Sequence, residues 1–94
     1  MKAIAIVTTA VLGLAVANAA QASEALAKSS GCMNCHDVAA KKVGPAFKDI
    51  AAKNKGKPEA EAALVAKLAD AKKHPPGKAS DDDRKALVKW ILTL

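Results

Sequence analysis

Cys32 and Cys35 are two thiols separated by two residues, and His36 follows the second one directly. At this spacing the intervening residues form a turn that brings both sulfurs to one edge of a porphyrin, where each adds to a vinyl group. The adjoining imidazole is then placed below the ring, where it binds the iron. The pattern therefore predicts covalent attachment of one c-type haem, with His36 as an axial ligand.

A disulfide is the competing interpretation of the two cysteines. Outside the cytoplasm a free CxxC pair tends to oxidise, and thioredoxin-like oxidoreductases place this spacing within a βαβ unit. No strand-like alternation of apolar and polar residues follows residue 22, and a disulfide does not require His36. The sequence therefore favours attachment of haem.

The first 22 residues have the composition of a secretory signal peptide. Lys2 supplies a positive start, residues 3–16 are almost uninterruptedly apolar, and A-x-A patterns follow at residues 17–19 and 20–22. The apolar run is short for a retained membrane anchor. We expect cleavage after Ala22, which leaves residues 23–94 as one exported domain.

The remaining chain is poor in residues that build a large core. Phe47 and Trp90 are its only aromatic side chains, and alanine, which buries little area, is abundant. A domain of about 70 residues rarely gains more than a few kcal/mol from one hydrophobic core. A covalently held porphyrin would supply the missing apolar surface, so we expect the chain without haem to be poorly folded.

Periodicity and capping residues predict short helices joined by loops, and hence an all-α fold. Ser23 is expected to cap the first helix. The second is expected over residues 45–55, beginning at a proline and ended by Gly56. Pro58 is expected to open the third helix, and the proline-rich segment 72–79 to form a loop. The apolar face of the third helix comprises Ala60, Leu64, Val65 and Leu68.

The last helix has the clearest signature. Ser80 is expected to cap it, and the carboxylates of residues 81–83 suit the positive end of the helix dipole. A metal site is the alternative for this acidic run, but consecutive helical residues point in different directions, which favours a solvated helix start. The apolar positions, expected to form a buried face, are Leu87, Trp90, Ile91 and Leu94.

Three segments resemble the short bacterial class I cytochromes c. They are residues 31–36 (GCMNCH), residues 43–53 (VGPAFKDIAAK) and the run from SDDD at residues 80–83 to LVKWIL at residues 87–92. The resemblance covers most of the chain after residue 22, in the family's order. It implies an all-α class I fold of about four short helices around one covalently bound haem, with crossing first and last helices, in a periplasmic electron carrier.

The resemblance also assigns roles to residues. It implies that Cys32 and Cys35 carry the thioether bonds and that His36 is the proximal iron ligand. The carbonyl of Pro45 is then expected to accept a hydrogen bond from the other ring nitrogen of His36. Such a bond fixes the orientation of an imidazole and raises its basicity.

The chain departs from the family at the second axial position. Family members usually supply a methionine from a proline-rich loop, whereas the only methionines here are Met1, in the signal peptide, and Met33, within the attachment turn. The corresponding loop reads KKHPPG over residues 72–77, and His74 occupies about the methionine's place. We therefore predict that His74 is the distal ligand of a bis-histidine haem.

Two other states of the distal position remain open. His74 could face solvent, which would leave the iron five-coordinate or bound to water. A lysine amine, from Lys72 or Lys73, could bind only after losing its proton.

With His74 bound to the iron, we expect a reduction potential below that of methionine-ligated relatives. A low-potential carrier of single electrons, without enzymatic activity of its own, is the favoured function, and a haem module that binds a small molecule is the alternative.

Charge indicates the kind of partner. The formal net charge is +6, and loss of Lys2 lowers it to +5. Lysines on segments expected to border the haem would steer the protein toward acidic patches of redox proteins. They are Lys28, Lys41, Lys42, Lys72, Lys73 and Lys78. The alternative is that lysine only maintains solubility.

An exported chain without interleaved aromatic and basic residues is not expected to bind nucleic acid. A monomer or a subunit of a redox complex fits the sequence equally well.

Overall fold

The computed structural model describes residues 23–94, so the expected signal peptide lies outside the described residues. This part contains four α-helices: α1 (residues 23–29), α2 (Phe47–Lys53), α3 (Ala60–Ala69) and α4 (Asp81–Leu92). One turn of 3-10 helix, Cys32–Asn34, follows α1. Residues 23–94 contain no strand, which confirms the all-α fold. Within the same range, no helix is long and apolar enough to cross a lipid bilayer.

Four of the predicted helix boundaries differ from those of the structure. Ser23 already has helical geometry, so it is not the residue that caps α1. Helix α2 begins at Phe47, two residues after Pro45, and ends at Lys53, before the turn in which Gly56 has a φ of 76°. This left-handed conformation favours glycine and stops the helix. Pro58 lies in a turn, and α3 begins only at Ala60.

Helix α4 begins as predicted. The side chain of Ser80 accepts a hydrogen bond of 3.2 Å from the backbone N–H of Asp83. Leu87 and Ile91 are buried as expected, and Val88 joins them. Leu94 was expected to be buried but is 38% exposed, because the helix ends at Leu92 and no longer holds this residue on the apolar face.

The core lies where α1, α2 and α4 meet. Ala27, Phe47, Leu87 and Ile91 form one buried cluster, and Trp90 packs against it. The Phe47 and Trp90 rings meet edge to face, with centroids 5.8 Å apart and planes at 78°, an arrangement that aromatic pairs prefer. Trp90 is therefore a core residue, as its position on α4 predicted.

Helix α3 packs against α4 but buries only part of its predicted apolar face. Ala60 is buried, whereas Leu64, Val65 and Leu68 are half-buried. Leu64 and Leu68 line a cavity that opens between α3, α4 and the segment around the two cysteines. The incomplete burial of α3 therefore marks the position of the functional site.

Candidate haem site

The cavity between the helices has a volume of about 660 Å³, within the ~300–1,000 Å³ range of cofactor sites. Cys32, Cys35 and His36 lie on its wall, and so does His74. Apolar side chains of α2, α3 and α4 complete the lining. A second depression, of about 600 Å³ around Lys48, Lys55 and the chain end, is lined by neither cysteine nor histidine.

The charges of the cavity lining are all positive. Lys53, Lys67 and Arg84 contribute to it, and no aspartate or glutamate does. Haem is a large apolar ring that bears two propionate carboxylates, so it needs apolar walls together with cationic partners. The chemistry of the lining fits this cofactor.

The two cysteines are presented by a tight turn. Gly31, with a φ of 85°, precedes the 3-10 helix, and the N–H of His36 donates to the carbonyl of Cys32 over 3.0 Å. No disulfide joins the two cysteines, and both are half-buried. Burial raises the pKa of the Cys32 thiol above its ordinary value. The turn thus brings both sulfurs and His36 to the same cavity.

Met33 lies in the same turn but points elsewhere. Its side chain packs against the buried cluster of α1, α2 and α4, and it does not contribute to the cavity lining. The thioether is therefore directed away from the site, although its two flanking residues line the cavity.

The imidazole of His36 is oriented by a backbone carbonyl. Nδ1 lies 2.7 Å from the carbonyl oxygen of Pro45 and donates to it. This is the hydrogen bond that the sequence resemblance implied. With Nδ1 carrying the proton, the lone pair of Nε2 is free for a metal ion.

Close packing also restrains the His36 ring. Phe47 stacks with its centroid 5.1 Å away and its plane inclined by 25°. Gly44 lies so near that an added Cβ would come within 2.8 Å of each ring nitrogen. The backbone N–H of Gly44 also donates to the carbonyl of Cys35 over 2.7 Å. Only glycine fits at position 44, and the imidazole has little freedom to rotate.

The loop that carries His74 is held at both ends. At its start, the carbonyl of Asp70 accepts from the N–H groups of Lys73 and His74 at 3.0 and 3.1 Å, and its carboxylate accepts from the N–H of Lys72 at 3.0 Å. At its end, the N–H of Lys78 donates to the carbonyl of Ser30 over 3.1 Å. These bonds fix the position at which His74 reaches the cavity.

His36 and His74 are brought together by this arrangement. Their ring centroids lie 6.0 Å apart and their planes differ by only 6°. Nδ1 of His74 lies 2.8 Å from the carbonyl oxygen of Pro75 and donates to it. Both imidazoles therefore use Nδ1 for a proline carbonyl, which leaves Nε2 of each ring available to bind a metal ion.

Sequence reasoning missed three residues that shape this site: Gly44, Asp70 and Arg84. Gly44 was included only in the family-like segment 43–53, and its contact with His36 depends on tertiary folding. Asp70, directly after α3, has the residue type that organises a turn. Arg84 lies three and four positions before the buried Leu87 and Val88, so the helical period could have placed it on the inner face of α4.

Comparisons with known proteins agree with this fold. The family described as Cytochrome c matches residues 20–94. Cytochrome c-552 of Nitrosomonas europaea is 44% identical in an alignment that covers 100% of this chain and 99% of that protein. Cytochrome c-551 of Pseudomonas aeruginosa is 37% identical, in an alignment that covers 99% of this chain and 98% of that protein.

Solved structures give the same result. The class 1 cytochrome MtoD of Sideroxydans lithotrophicus ES-1 superposes with a TM-score of 0.70 at 35% identity, over 78% of this chain and 92% of that one. Wild-type cytochrome c552 of N. europaea gives a TM-score of 0.65 at 43% identity, over 76% of this chain and 98% of that one. The chain therefore belongs to the cytochrome c family, within its small bacterial class I group. Its cofactor is one covalently bound haem c, and its family serves electron transport.

Proposed function

We propose that this cytochrome is a periplasmic carrier of single electrons whose haem iron is held between two histidines, His36 and His74. Cys32 and Cys35 bind the porphyrin through thioether bonds, and Pro45 orients His36. When bound, the haem supplies a one-electron Fe(III)/Fe(II) couple. The observation that carries the proposal is the parallel pair of imidazoles at the cavity wall.

The spacing of that pair suits one metal ion between the rings. Two metal–nitrogen bonds of about 2.0–2.1 Å, together with the roughly 1.1 Å from each nitrogen to its ring centre, require centroids about 6 Å apart. The observed separation is 6.0 Å. The separation is therefore compatible with one metal ion bound by both rings.

The other candidate ligands are less well placed. Lys72 and Lys73 are exposed and do not line the cavity, whereas His74 is half-buried and does. Met33 is packed in the core. Of the ligands that the sequence suggested for the position opposite His36, His74 alone lines the cavity.

Two consequences follow for the redox chemistry. Imidazole in place of a thioether lowers the potential of a haem, because methionine–histidine ligation is the pair that raises it. Ligation on both sides also leaves no vacant position for a substrate. Together they support a low-potential electron carrier that is not itself an enzyme.

The surface near the site supports docking to acidic redox partners. Lys28, Lys41, Lys42, Lys72, Lys73 and Lys78 are all exposed. Val43, which lines the cavity, is 84% exposed beside two of them. An apolar contact surrounded by cations suits a partner with an acidic patch, and such charges accelerate encounter more than they raise affinity. The carrier would act as a monomer or within a redox complex.

Export is part of the proposal. The signal-like composition of residues 1–22 supports delivery to the periplasm, where c-type haem is attached and where residues 23–94 would remain after cleavage. N-terminal sequencing of the secreted holoprotein tests the cleavage site: Ser23 as the first residue is the expected result.

Visible spectra and carbon monoxide binding test the proposed ligation. The ferric holoprotein at neutral pH is expected to be low-spin, and the ferrous form to bind carbon monoxide slowly and incompletely. The variant H74A is expected to become high-spin and to bind one carbon monoxide promptly. Prompt stoichiometric binding by the wild type would instead favour a haem module that captures a small molecule.

A further inference from the structure

We propose that Asp70 is a positioning residue for His74: its carboxylate holds the turn that delivers this imidazole, and so slows the departure of His74 from the iron. The inference rests on the proposed ligation by His74 and concerns the lifetime of that bond. Asp70 directly follows the last residue of α3, and only three residues separate it from His74. The distal histidine is therefore tied closely to the end of a helix.

Asp70 organises this short connection with both its backbone and its side chain. Its carbonyl accepts from the N–H groups of Lys73 and His74 at 3.0 and 3.1 Å. Its Oδ1 accepts from the N–H of Lys72 at 3.0 Å. A bond from this side chain to the N–H two residues later closes a turn that aspartate and asparagine form and longer side chains do not. Three successive N–H groups are thus bonded to one residue.

The other end of the loop is held by close packing. The N–H of Lys78 donates to the carbonyl of Ser30 over 3.1 Å, and Ser30 is only 3% exposed. A Cβ added to Gly77 would lie 2.9 Å from the same carbonyl oxygen, so the loop backbone already touches this buried residue. The freedom that remains to the loop is therefore concentrated in the turn after Asp70.

The ring of His74 is coupled to the backbone of the loop. Its Nδ1 donates to the carbonyl of Pro75 over 2.8 Å, so withdrawing the ring from the cavity requires either breaking this bond or moving the loop with it. The bond between Asp70 and Lys72 opposes movement of the loop. Loss of one such hydrogen bond changes an equilibrium about two- to tenfold, and we expect an effect of this size on the departure of His74.

Rapid mixing of the ferrous holoprotein with carbon monoxide measures this departure. At high concentrations of carbon monoxide the observed rate approaches a limit, the rate at which His74 leaves the iron and vacates its position. For D70A we expect the limiting rate to rise about two- to tenfold. D70N removes the charge but keeps the acceptor, so its limiting rate should equal that of the wild type. D70E keeps the charge but does not close the turn, and its rate should rise as that of D70A does.

The comparison of D70E with D70N decides the result even if D70A fails to fold. Equal limiting rates in D70E and the wild type, or an equal rise in D70E and D70N, would overturn the role of Asp70 and leave ligation by His74 intact. G56A alters a glycine outside this loop and should keep the wild-type rate; a rise there as large as in D70E would also overturn the proposal, since any loss of stability would then suffice.

Failure of the ligation itself has a different signature. The variant H74A should bind carbon monoxide at a rate proportional to its concentration, without a limit. The same behaviour in the wild type would contradict ligation by His74, and the role of Asp70 would fall with it.

Amide hydrogen exchange of the ferrous holoprotein gives a second readout. Exchange at the N–H of Lys72 should be faster in D70A and D70E than in D70N, because only asparagine replaces the lost acceptor. Equal exchange in D70N and D70E would contradict the turn that the proposal requires.

Discussion

The imidazole planes of His36 and His74 are parallel to within 6°, although the two residues come from different loops. Each ring is oriented by a proline carbonyl, Pro45 for His36 and Pro75 for His74. Proline fixes its own φ and so stiffens the backbone that presents the carbonyl. Two rigid backbone acceptors thus set the relative orientation of two side chains that lie 38 positions apart in the sequence.

Replacing His74 by methionine should raise the reduction potential. The variant H74M restores the histidine–methionine pair, which favours the ferrous state. We expect an increase on the order of 0.1 V, a fraction of the range that axial ligands span in haem proteins. The control K73M introduces the same side chain at the adjacent exposed position and should leave the potential unchanged. An H74M potential equal to that of the wild type would argue against ligation by His74.

A methyl group at position 44 should disturb the site through His36. The added Cβ of G44A would meet both ring nitrogens at 2.8 Å, so we expect a loss of about 1–3 kcal/mol in the free energy of unfolding, typical of overpacking. The ferric visible spectrum should change as well, because the imidazole must move. Denaturant unfolding and visible spectroscopy of the holoprotein measure the two effects.

The variant G56A separates the loss of stability from the change in the visible spectrum. Gly56 has a φ of 76° but open space around its Cα, so alanine there costs about 1–2 kcal/mol through the backbone alone. G56A should therefore lose stability and keep the wild-type spectrum. If G44A also kept that spectrum, the contact between Gly44 and His36 would not control the ligand.

Removing the cap of α4 should lower stability without affecting the haem. The Ser80 hydroxyl accepts from the N–H of Asp83, and loss of such a cap costs about 0.5–2 kcal/mol. Thermal unfolding of S80A measures this loss. S29A is the matched control, since Ser29 is exposed and bonds only to the carbonyl of Leu26; its effect should stay within about 0.5 kcal/mol. Equal losses in the two variants would contradict the capping role.

Reversing charges near the cavity should slow oxidation by an anionic reagent. In K41E and K72E the second-order rate of oxidation of the ferrous protein by ferricyanide should fall about two- to tenfold at low ionic strength. The difference should largely disappear at 1 M salt, where the screening length is about 3 Å. K55E and K57E carry the same charge change beside the second depression. Equal slowing in all four variants would indicate a net-charge effect without a docking surface.

The sequence predicted those features whose cause is local. The spacing of Cys32, Cys35 and His36 follows from covalent chemistry, and the Ser80 cap follows from the four consecutive residues 80–83. Boundaries were less accurate: Ser23 is inside α1, and Leu94 lies beyond the end of α4. Helix ends depend on the adjoining turns, and the hydrophobic periodicity of the sequence alone does not indicate where a turn begins.

Features that depend on tertiary contact could not be predicted in the same way. Gly44 contacts His36 across a loop, and Arg84 faces the cavity only because α4 packs on α2 and α3. The partial exposure of Leu64 and Leu68 also has no local signal, since both side chains line the cavity. The apolar face of α3 was predicted correctly, but the sequence does not show that part of this face borders a cavity.

Electron paramagnetic resonance of the ferric holoprotein at neutral pH decides whether His74 binds the iron. Two nearly parallel imidazoles on one iron should give a low-spin, rhombic spectrum with three resolved g-values. The variant H74A should replace it with a high-spin signal. A high-spin wild-type spectrum would contradict ligation by His74, and a highly anisotropic low-spin spectrum with one dominant feature would contradict the parallel orientation of His36 and His74.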